Sequence, residues 1–174
     1  MSAVDRLLAP DYLGDVGARP IEEIRAMRDE CQTAEASLSY VRRIVQARHD
    51  IVAAELGRRA SGGEPADLSA LVDKLPEILG QHVVGPGLGR LSTVAPPEDE
   101  ELVREVDAVV DSARLAGLSE AADEEVRALG DQLGELEADV SGRRRALHER
   151  IDTLQAELVR RYKSGEATVE SLLS

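Results

Sequence analysis

The sequence predicts an all-α fold whose main feature is a pair of long helices packed along narrow apolar seams. The first observation is composition: Phe and Trp are absent, Tyr occurs three times, and 32% of the residues are charged. Aromatic side chains usually supply much of a compact core, so their scarcity favours long amphipathic helices. The second observation is an unbroken helical pattern over two long stretches, and the third is a seven-residue spacing of apolar residues in both.

The first long helix is predicted over residues 20–60, which we call the first arm. Pro20 suits the first position of a helix, and two acidic residues follow it in the first turn. The sequence Ser61-Gly62-Gly63 ends the helix. Such a helix is about 60 Å long, which is typical of a coiled coil. Residues 1–19 contain Pro10, Gly14 and Gly17 and are predicted to form an irregular leader or a short docking helix.

The second long helix is predicted over residues 118–163, which we call the second arm. Ser119 is the predicted cap, since acidic residues follow it in the first turn. Short helices are expected between the arms at residues 68–79 and 98–115, separated by a loop rich in Gly and Pro. Residues 164–174 are expected to form a frayed tail.

Each arm carries one complete apolar row with heptad spacing. The rows are Ile24, Cys31, Leu38, Val45 and Val52 in the first arm, and Val126, Leu133, Val140, Leu147 and Leu154 in the second. A companion row three residues earlier is interrupted by a Glu and then an Arg, which are Glu35 and Arg42 in one arm and Glu137 and Arg144 in the other. A charge in a seam is costly without a partner, so these positions are candidates for function.

The two arms match at a constant offset of 102 residues, which indicates an internal duplication. Residues 35–50 read EASLSYVRRIVQARHD, and residues 137–152 read EADVSGRRRALHERID. The corresponding polar residues are Glu35, Ser39, Arg42, Gln46 and Asp50 in the first copy, and Glu137, Ser141, Arg144, His148 and Asp152 in the second. On a helix each set lies within about 80° of arc and forms a polar stripe about 22 Å long.

A ligand of such a stripe would be long and polar, and a guanine dinucleotide meets that description. A carboxylate can accept from the N1–H and N2–H₂ edge of guanine, while Arg can bind the O6/N7 edge or a phosphate. Ser and Gln supply neutral hydrogen bonds. Further arginines flank the stripes and make this a locally basic zone, namely Arg43, Arg48, Arg143, Arg145 and Arg150.

The pattern E-x3-S-x2-R-x3-Q-x3-D resembles the cyclic di-GMP motif of the RsiG-type anti-sigma factors of Actinobacteria. The first copy matches at all five positions, and the second departs only at His148, where the pattern has Gln. The resemblance implies an antiparallel coiled coil that binds two cyclic di-GMP molecules, with one motif facing the other. It also implies that the loaded protein holds a WhiG-type sporulation sigma factor away from RNA polymerase during development.

Two other classes of function bear on the same residues. The stripes also fit a structural or interaction coiled coil without a small-molecule ligand, in which Glu and Arg pair across the seam. An enzyme is not expected, because the sequence has no recognisable nucleophile–base pair, paired acids or cluster of metal ligands. His148 is interpreted as a substituted ligand contact, since no second metal-ligating residue lies at the spacing that a metal site requires.

The net charge and the search for targeting signals limit which binding partners and which cellular compartment are expected. The net charge of -13 argues against direct DNA binding and suits a basic protein partner, although acidity by itself indicates only solubility. Cys31 is the only cysteine, and no apolar run approaches the length of a membrane span or a signal peptide. We therefore expect a cytoplasmic protein that does not bind a membrane, with residues 20–163 forming a single helical-hairpin domain.

Overall fold

The computed structural model describes residues 2–62 and 100–165, with backbone only for 100–103. All regular secondary structure in these ranges is helical, which confirms the all-α prediction. The elements are α1 (Ala3–Leu8), a 3₁₀ turn (Val16–Ala18), α2 (Ile21–Ala60), α3 (Glu100–Val109), α4 (Ser112–Ala116), a second 3₁₀ turn (Gly117–Ser119) and α5 (Asp123–Ser164). The predicted helix 68–79 and nearly all of the predicted tail 164–174 lie outside the described residues.

The helix predicted over 98–115 is two helices, α3 and α4. The chain is extended at Asp111, whose carboxylate accepts a hydrogen bond from the Arg114 backbone N–H at 2.8 Å. Asp111 therefore caps α4 and interrupts the continuous helix that the apolar pattern suggested. Ser119 is likewise not the cap of the second arm, because it ends the 3₁₀ turn that precedes α5.

The chain divides into two compact units, each of which contains part of α2 and part of α5. The first unit comprises Met1–Ala36 and Gly142–Ser174, and the second comprises Ser37–Ser141. In the first unit Gln155 accepts from Arg28, and the earlier residue Arg144 donates to the later residue Glu35. In the second unit Glu137 accepts from Arg42, and the earlier residue Asp123 accepts from the later residue Arg59. In each unit, residue numbers therefore rise along one helix segment as they fall along the other, so the two segments run antiparallel.

The predicted seam residues form the core. All ten residues of the two complete heptad rows are at most 1% exposed: Ile24, Cys31, Leu38, Val45, Val52, Val126, Leu133, Val140, Leu147 and Leu154. Met27 and Val41 on α2, and Leu129 and Leu158 on α5, are buried with them. The companion rows are mostly half-buried, so the Glu and Arg that interrupt them remain accessible to solvent on one side.

The duplication extends beyond the long helices. At the offset of 102 residues α1 matches the end of α3, and Val4 and Val106 are both buried. The Leu8 carbonyl accepts from Arg150 in the first unit, and the corresponding Val110 carbonyl accepts from Arg48 in the second. Each copy thus contains a short helix, a 3₁₀ turn and a long helix, and the second copy has α4 in addition, between its short helix and its turn. Among the described residues, no helix is both long and apolar enough to span a bilayer.

Candidate ligand-binding site

The ten motif residues lie on the two long helices, five on α2 and five on α5. Because the helical repeat places residues three or four apart on one face, each set of five forms a row beside the buried seam. The Glu, Ser, Arg and Gln or His residues of both rows are half-buried, whereas the terminal Asp50 and Asp152 are exposed.

In the second unit the carboxylate of Glu137 connects three other motif residues. Its Oε1 accepts from Arg42 Nη1 at 3.2 Å and from Gln46 Nε2 at 3.4 Å, both across the seam from α2. It also accepts from the Ser141 hydroxyl at 2.9 Å, one turn along α5. Four predicted site residues therefore meet at one oxygen atom.

In the first unit the carboxylate of Glu35 has the same role as that of Glu137. Its Oε1 lies 2.6 Å from Arg144 Nε and 3.2 Å from His148 Nε2, both on α5. The side chains are 19%, 34% and 46% exposed for Glu35, Arg144 and His148 respectively, so the group opens to solvent on the His148 side. His148 thus occupies the position that Gln46 has in the second unit.

The same rule governs both groups. The Arg and the Gln or His of one motif copy contact the Glu of the other copy. Sequence reasoning selected these residues and raised the pairing of Glu with Arg across the seam, but it did not assign the contacts of Gln46 and His148. Ser39, Asp50 and Asp152 form no side-chain hydrogen bond or ion pair with the residues in the described ranges, so three motif positions remain unengaged there.

Each charge at this site is paired with an oppositely charged side chain that a ligand could replace. Arg42 and Glu137 are 32% and 30% exposed, so water screens their attraction, and a pair of this kind contributes about 1 kcal/mol or less. A ligand that offers donors to the carboxylate and an anion to the guanidinium could replace the pair at little cost. Within the described residues, no buried side-chain N or O atom lacks a hydrogen-bond partner.

Two of the flanking arginines have a different role from the one that the sequence suggested. Arg48 donates to the Val110 carbonyl at 2.5 Å and pairs with Asp107 at 2.7 Å. Arg150 donates to the Leu8 carbonyl at 2.8 Å. Both guanidinium groups hold the C-terminal end of a short helix, where carbonyl groups lack helical partners. They therefore fasten α1 and α3 instead of adding to the basic zone.

A further charged group near the end of α2 was visible in the sequence only as a repeated Glu and Arg-Arg pair. Glu55 is 2% exposed and accepts hydrogen bonds from Arg58 and Arg59 at 2.5–2.7 Å. The bonds from Arg58 and then Arg59 lower the pKa of Glu55 to about 2. Arg59 also donates to the Leu118 carbonyl at 2.5 Å, in the 3₁₀ turn before α5.

The duplicated counterpart lies at the end of α5 in the first unit. Glu157 accepts from Arg160 and Arg161, which lower its pKa to about 2. Arg161 donates to the carbonyls of Val16, Gly17 and Arg19 at 2.7–3.2 Å, in and after the 3₁₀ turn that precedes α2. We call these two groups the Glu–Arg clamps. Each one ties the end of one long helix to the turn that precedes the other.

The family of RsiG-like proteins matches residues 10–79 and 112–174, which include both motif copies. The chain belongs to the RsiG-like family. Membership gives it an anti-sigma-factor role and implies a sigma factor as its partner. No curated protein matches the chain in a direct sequence comparison. Among the residues that the structure describes, no three His, Cys, Asp or Glu side chains are placed so that they could hold a metal ion.

Proposed function

We propose that this RsiG-like chain is a cyclic di-GMP-dependent anti-sigma factor without enzymatic activity. When loaded, it sequesters a WhiG-type sporulation sigma factor from RNA polymerase. The observation that supports the proposal is the recurrence of one polar group in both units. Glu137 with Arg42 and Gln46 in the second unit is matched by Glu35 with Arg144 and His148 in the first.

The side chains in each group fit the chemistry of a cyclic guanine dinucleotide. The carboxylates of Glu35 and Glu137 are acceptors for the N1–H and N2–H₂ groups of guanine. Arg42 and Arg144 can bind the acceptor edge of guanine, stack on it, or pair with a phosphodiester. The remaining hydroxyl, amide and imidazole groups suit phosphate or ribose oxygens. Two such groups are consistent with two ligands per chain.

Asp50 and Asp152 complete the two motifs at the exposed end of each stripe. They form no ion pair with other residues of the described ranges, so both carboxylates are free to accept hydrogen bonds from a ligand. An exposed carboxylate can bind a second donor edge at little desolvation cost. This explains why each motif ends in an acidic residue, although other residues of the same stripe must bind the phosphates of the ligand.

The ligand and the sigma factor are expected to bind with mutual reinforcement. If the loaded stripes form part of the surface that the sigma factor contacts, each partner raises the affinity for the other by the same factor. A coupling of about 1–3 kcal/mol corresponds to about 5- to 150-fold in affinity. Cyclic di-GMP would then act as the signal that switches sequestration on.

A second candidate function is an interaction coiled coil that binds no small molecule. The observation that favours it is the pairing of Arg42 with Glu137 and of Arg144 with Glu35, which neutralises the seam charges inside the chain. In that case the stripes would serve only to fix the register of the two helices. The two candidates differ in whether removing the arginines abolishes binding of a nucleotide.

The deciding experiment is calorimetric titration of cyclic di-GMP with and without a WhiG-type sigma factor. We expect about two ligands per chain, and loss of binding in the double variant Arg42→Ala with Arg144→Ala. The matched control is Arg6→Ala with Lys163→Ala, which removes the same charge at exposed positions outside the motifs. An absence of binding heat from the wild-type chain under both conditions would favour the interaction coiled coil.

A further inference from the structure

An open groove lies between α2 and α5 in the second unit, and its lining residues are distinct from the ten motif residues. It has a volume of about 740 Å³. Ala53 and Leu56 line it from α2, and Gly130, Gly134, Asp131 and Glu135 line it from α5. Along α5 the lining extends from Arg127 to Ala138, which corresponds to about 16 Å of helix.

Packing within the described chain does not require glycine at either of the two glycine positions in this groove. A Cβ atom at Gly130 would be 3.5 Å from Val52 Cγ1, which is ordinary contact, and one at Gly134 would meet nothing within 4 Å. Each glycine nevertheless destabilises a helix interior relative to Ala. What the two glycines provide is bare helix backbone that another chain can approach closely.

Comparison with the other motif copy shows which side chains this surface lacks. At the offset of 102 residues Gly130 matches Arg28, and Ala53 matches Gln155. In the first unit Arg28 Nη1 donates to Gln155 Oε1 at 3.3 Å, so this pair of long side chains bridges α2 and α5. In the second unit both members of the pair are replaced by small residues. The groove is therefore open because two contacting side chains are absent together.

The charges around the groove indicate the kind of occupant. Asp131 and Glu135 are exposed at its edge, whereas Arg127 is drawn towards Asp123, 3.7 Å away. The edge is therefore acidic, as is the chain with its net charge of -13. A sigma factor binds DNA and needs basic surfaces for the phosphates. Such a surface complements this edge in charge.

We propose that the groove seats an amphipathic helix of the sigma factor. Small or apolar side chains of that helix pack on Gly130 and Gly134, and its Lys or Arg residues pair with Asp131 and Glu135. A groove about 16 Å long holds about three helical turns, as in other complexes where a helix lies in a groove. This inference rests on the proposed function, because it names a surface on which the sequestered sigma factor docks.

The test restores in the second unit the pair that the first unit retains. The double variant Ala53→Gln with Gly130→Arg fills the groove and leaves every motif residue unchanged. We expect it to weaken binding of a WhiG-type sigma factor at least tenfold at saturating cyclic di-GMP, measured by calorimetry. The helical circular dichroism and the Tm should not fall, because the same pair is accommodated in the first unit.

Two further variants separate docking from folding. Gly134→Leu projects into the groove from a position with free space, and it should also weaken sigma-factor binding at least tenfold. Gly57→Ala is the matched control, since Gly57 is an exposed helical glycine outside the groove, where an added Cβ atom would meet nothing within 4 Å. We expect it to raise the Tm and leave the affinity unchanged.

Three outcomes would overturn the inference, and they are distinguishable. If the filled-groove variants bind the sigma factor normally while Arg42→Ala with Arg144→Ala does not, the groove is not the docking surface and the proposed function stands. If the loaded wild-type chain does not bind the sigma factor, both fail. If light scattering shows a wild-type dimer that the filled variant converts to a monomer, the occupant is a second copy of this chain.

Discussion

The carboxylate of Glu35 accepts a hydrogen bond from Arg144, with 2.6 Å between Oε1 and Nε, although 109 positions separate the two residues in the chain. The duplicated pair, Glu137 and Arg42, makes the corresponding contact at 3.2 Å. Each long helix thus supplies the acidic residue that pairs with a basic residue of the other helix. The groups that we assign to ligand binding also stabilise the ligand-free chain, and mutations can separate the two roles.

Reversing one pair should separate the two roles. We expect Arg144→Glu alone to reduce the free energy of unfolding by up to about 1 kcal/mol, because it places two carboxylates together at a partly exposed site. Adding Glu35→Arg should restore that stability by re-forming the pair in the opposite orientation. Cyclic di-GMP binding at this group should remain lost in the double variant. Recovery of both stability and binding would contradict the assigned roles.

The two motif copies should differ in their affinity for cyclic di-GMP, because His148 stands where the other copy has Gln46. An imidazole and an amide place their hydrogen-bonding atoms differently, so the two groups cannot make identical contacts with the same ligand. We therefore expect two binding steps of unequal affinity in titration calorimetry.

Exchange of the two residues provides the control for this difference. His148→Gln and Gln46→His should each bring the affinities of the two steps closer together. Steps that remain as far apart in both variants as in the wild-type chain would assign the difference to other residues.

The Glu–Arg clamps should be lost in strong acid. Hydrogen bonds from their arginines lower the pKa of Glu55 and of Glu157 from 4.5 to about 2. A carboxyl group with a depressed folded-state pKa stabilises the fold above its unfolded value, and this contribution disappears as the pH falls through the folded value. We expect the Tm to fall between about pH 4.5 and pH 2 for this reason.

Variants of the buried clamp provide the comparison. Glu55→Gln should lower the free energy of unfolding by roughly 1–3 kcal/mol at neutral pH, because hydrogen bonds between charged groups are weakened at a buried site. It should also flatten the decline in acid. Glu30→Gln, which alters a pair that is about half exposed, should change neither value appreciably. An equal effect of both variants would argue against a special role for the clamp.

Gly142 provides a test of how closely the ligand approaches the helix backbone beside Ser141. A Cβ atom at Gly142 would meet nothing within 4 Å, so Gly142→Ala should raise the free energy of unfolding by roughly 1 kcal/mol. We expect cyclic di-GMP affinity to remain within about twofold of the wild type by calorimetry. A large loss of affinity without loss of stability would show that the ligand needs the bare backbone at this position.

The seam and the members of each polar group could be predicted because they depend on helical periodicity. Heptad spacing identified Val45 and Leu147 as core residues, and the breaks in the companion rows identified Glu35 and Arg144. The break at Asp111 escaped prediction, because the apolar pattern continues across it and only the backbone conformation reveals the cap. A capping side chain can interrupt a helix even where the apolar pattern continues, so apolar periodicity alone does not predict the break.

The contacts of arginines with backbone carbonyls were also beyond sequence reasoning. Arg48 resembles its neighbour Arg43 in type and setting, yet it bonds the Val110 carbonyl. Its partner has no side-chain signature, since every residue carries a carbonyl group. The groove at Gly130 likewise required coordinates, because it depends on Gly130 and Ala53 lying on opposite walls of one cavity.

The clamps have a consequence for how the two halves of this chain can diverge. Arg161 donates to the carbonyl oxygens of Val16 and Gly17, and Arg59 donates to that of Leu118. Because these acceptors are backbone atoms, the contacts do not depend on which side chains the turn residues carry. Substitutions in these turns can therefore accumulate without releasing the helix ends. In a duplicated chain of this design, one half can acquire a new contact surface while the helix ends of both halves stay fixed.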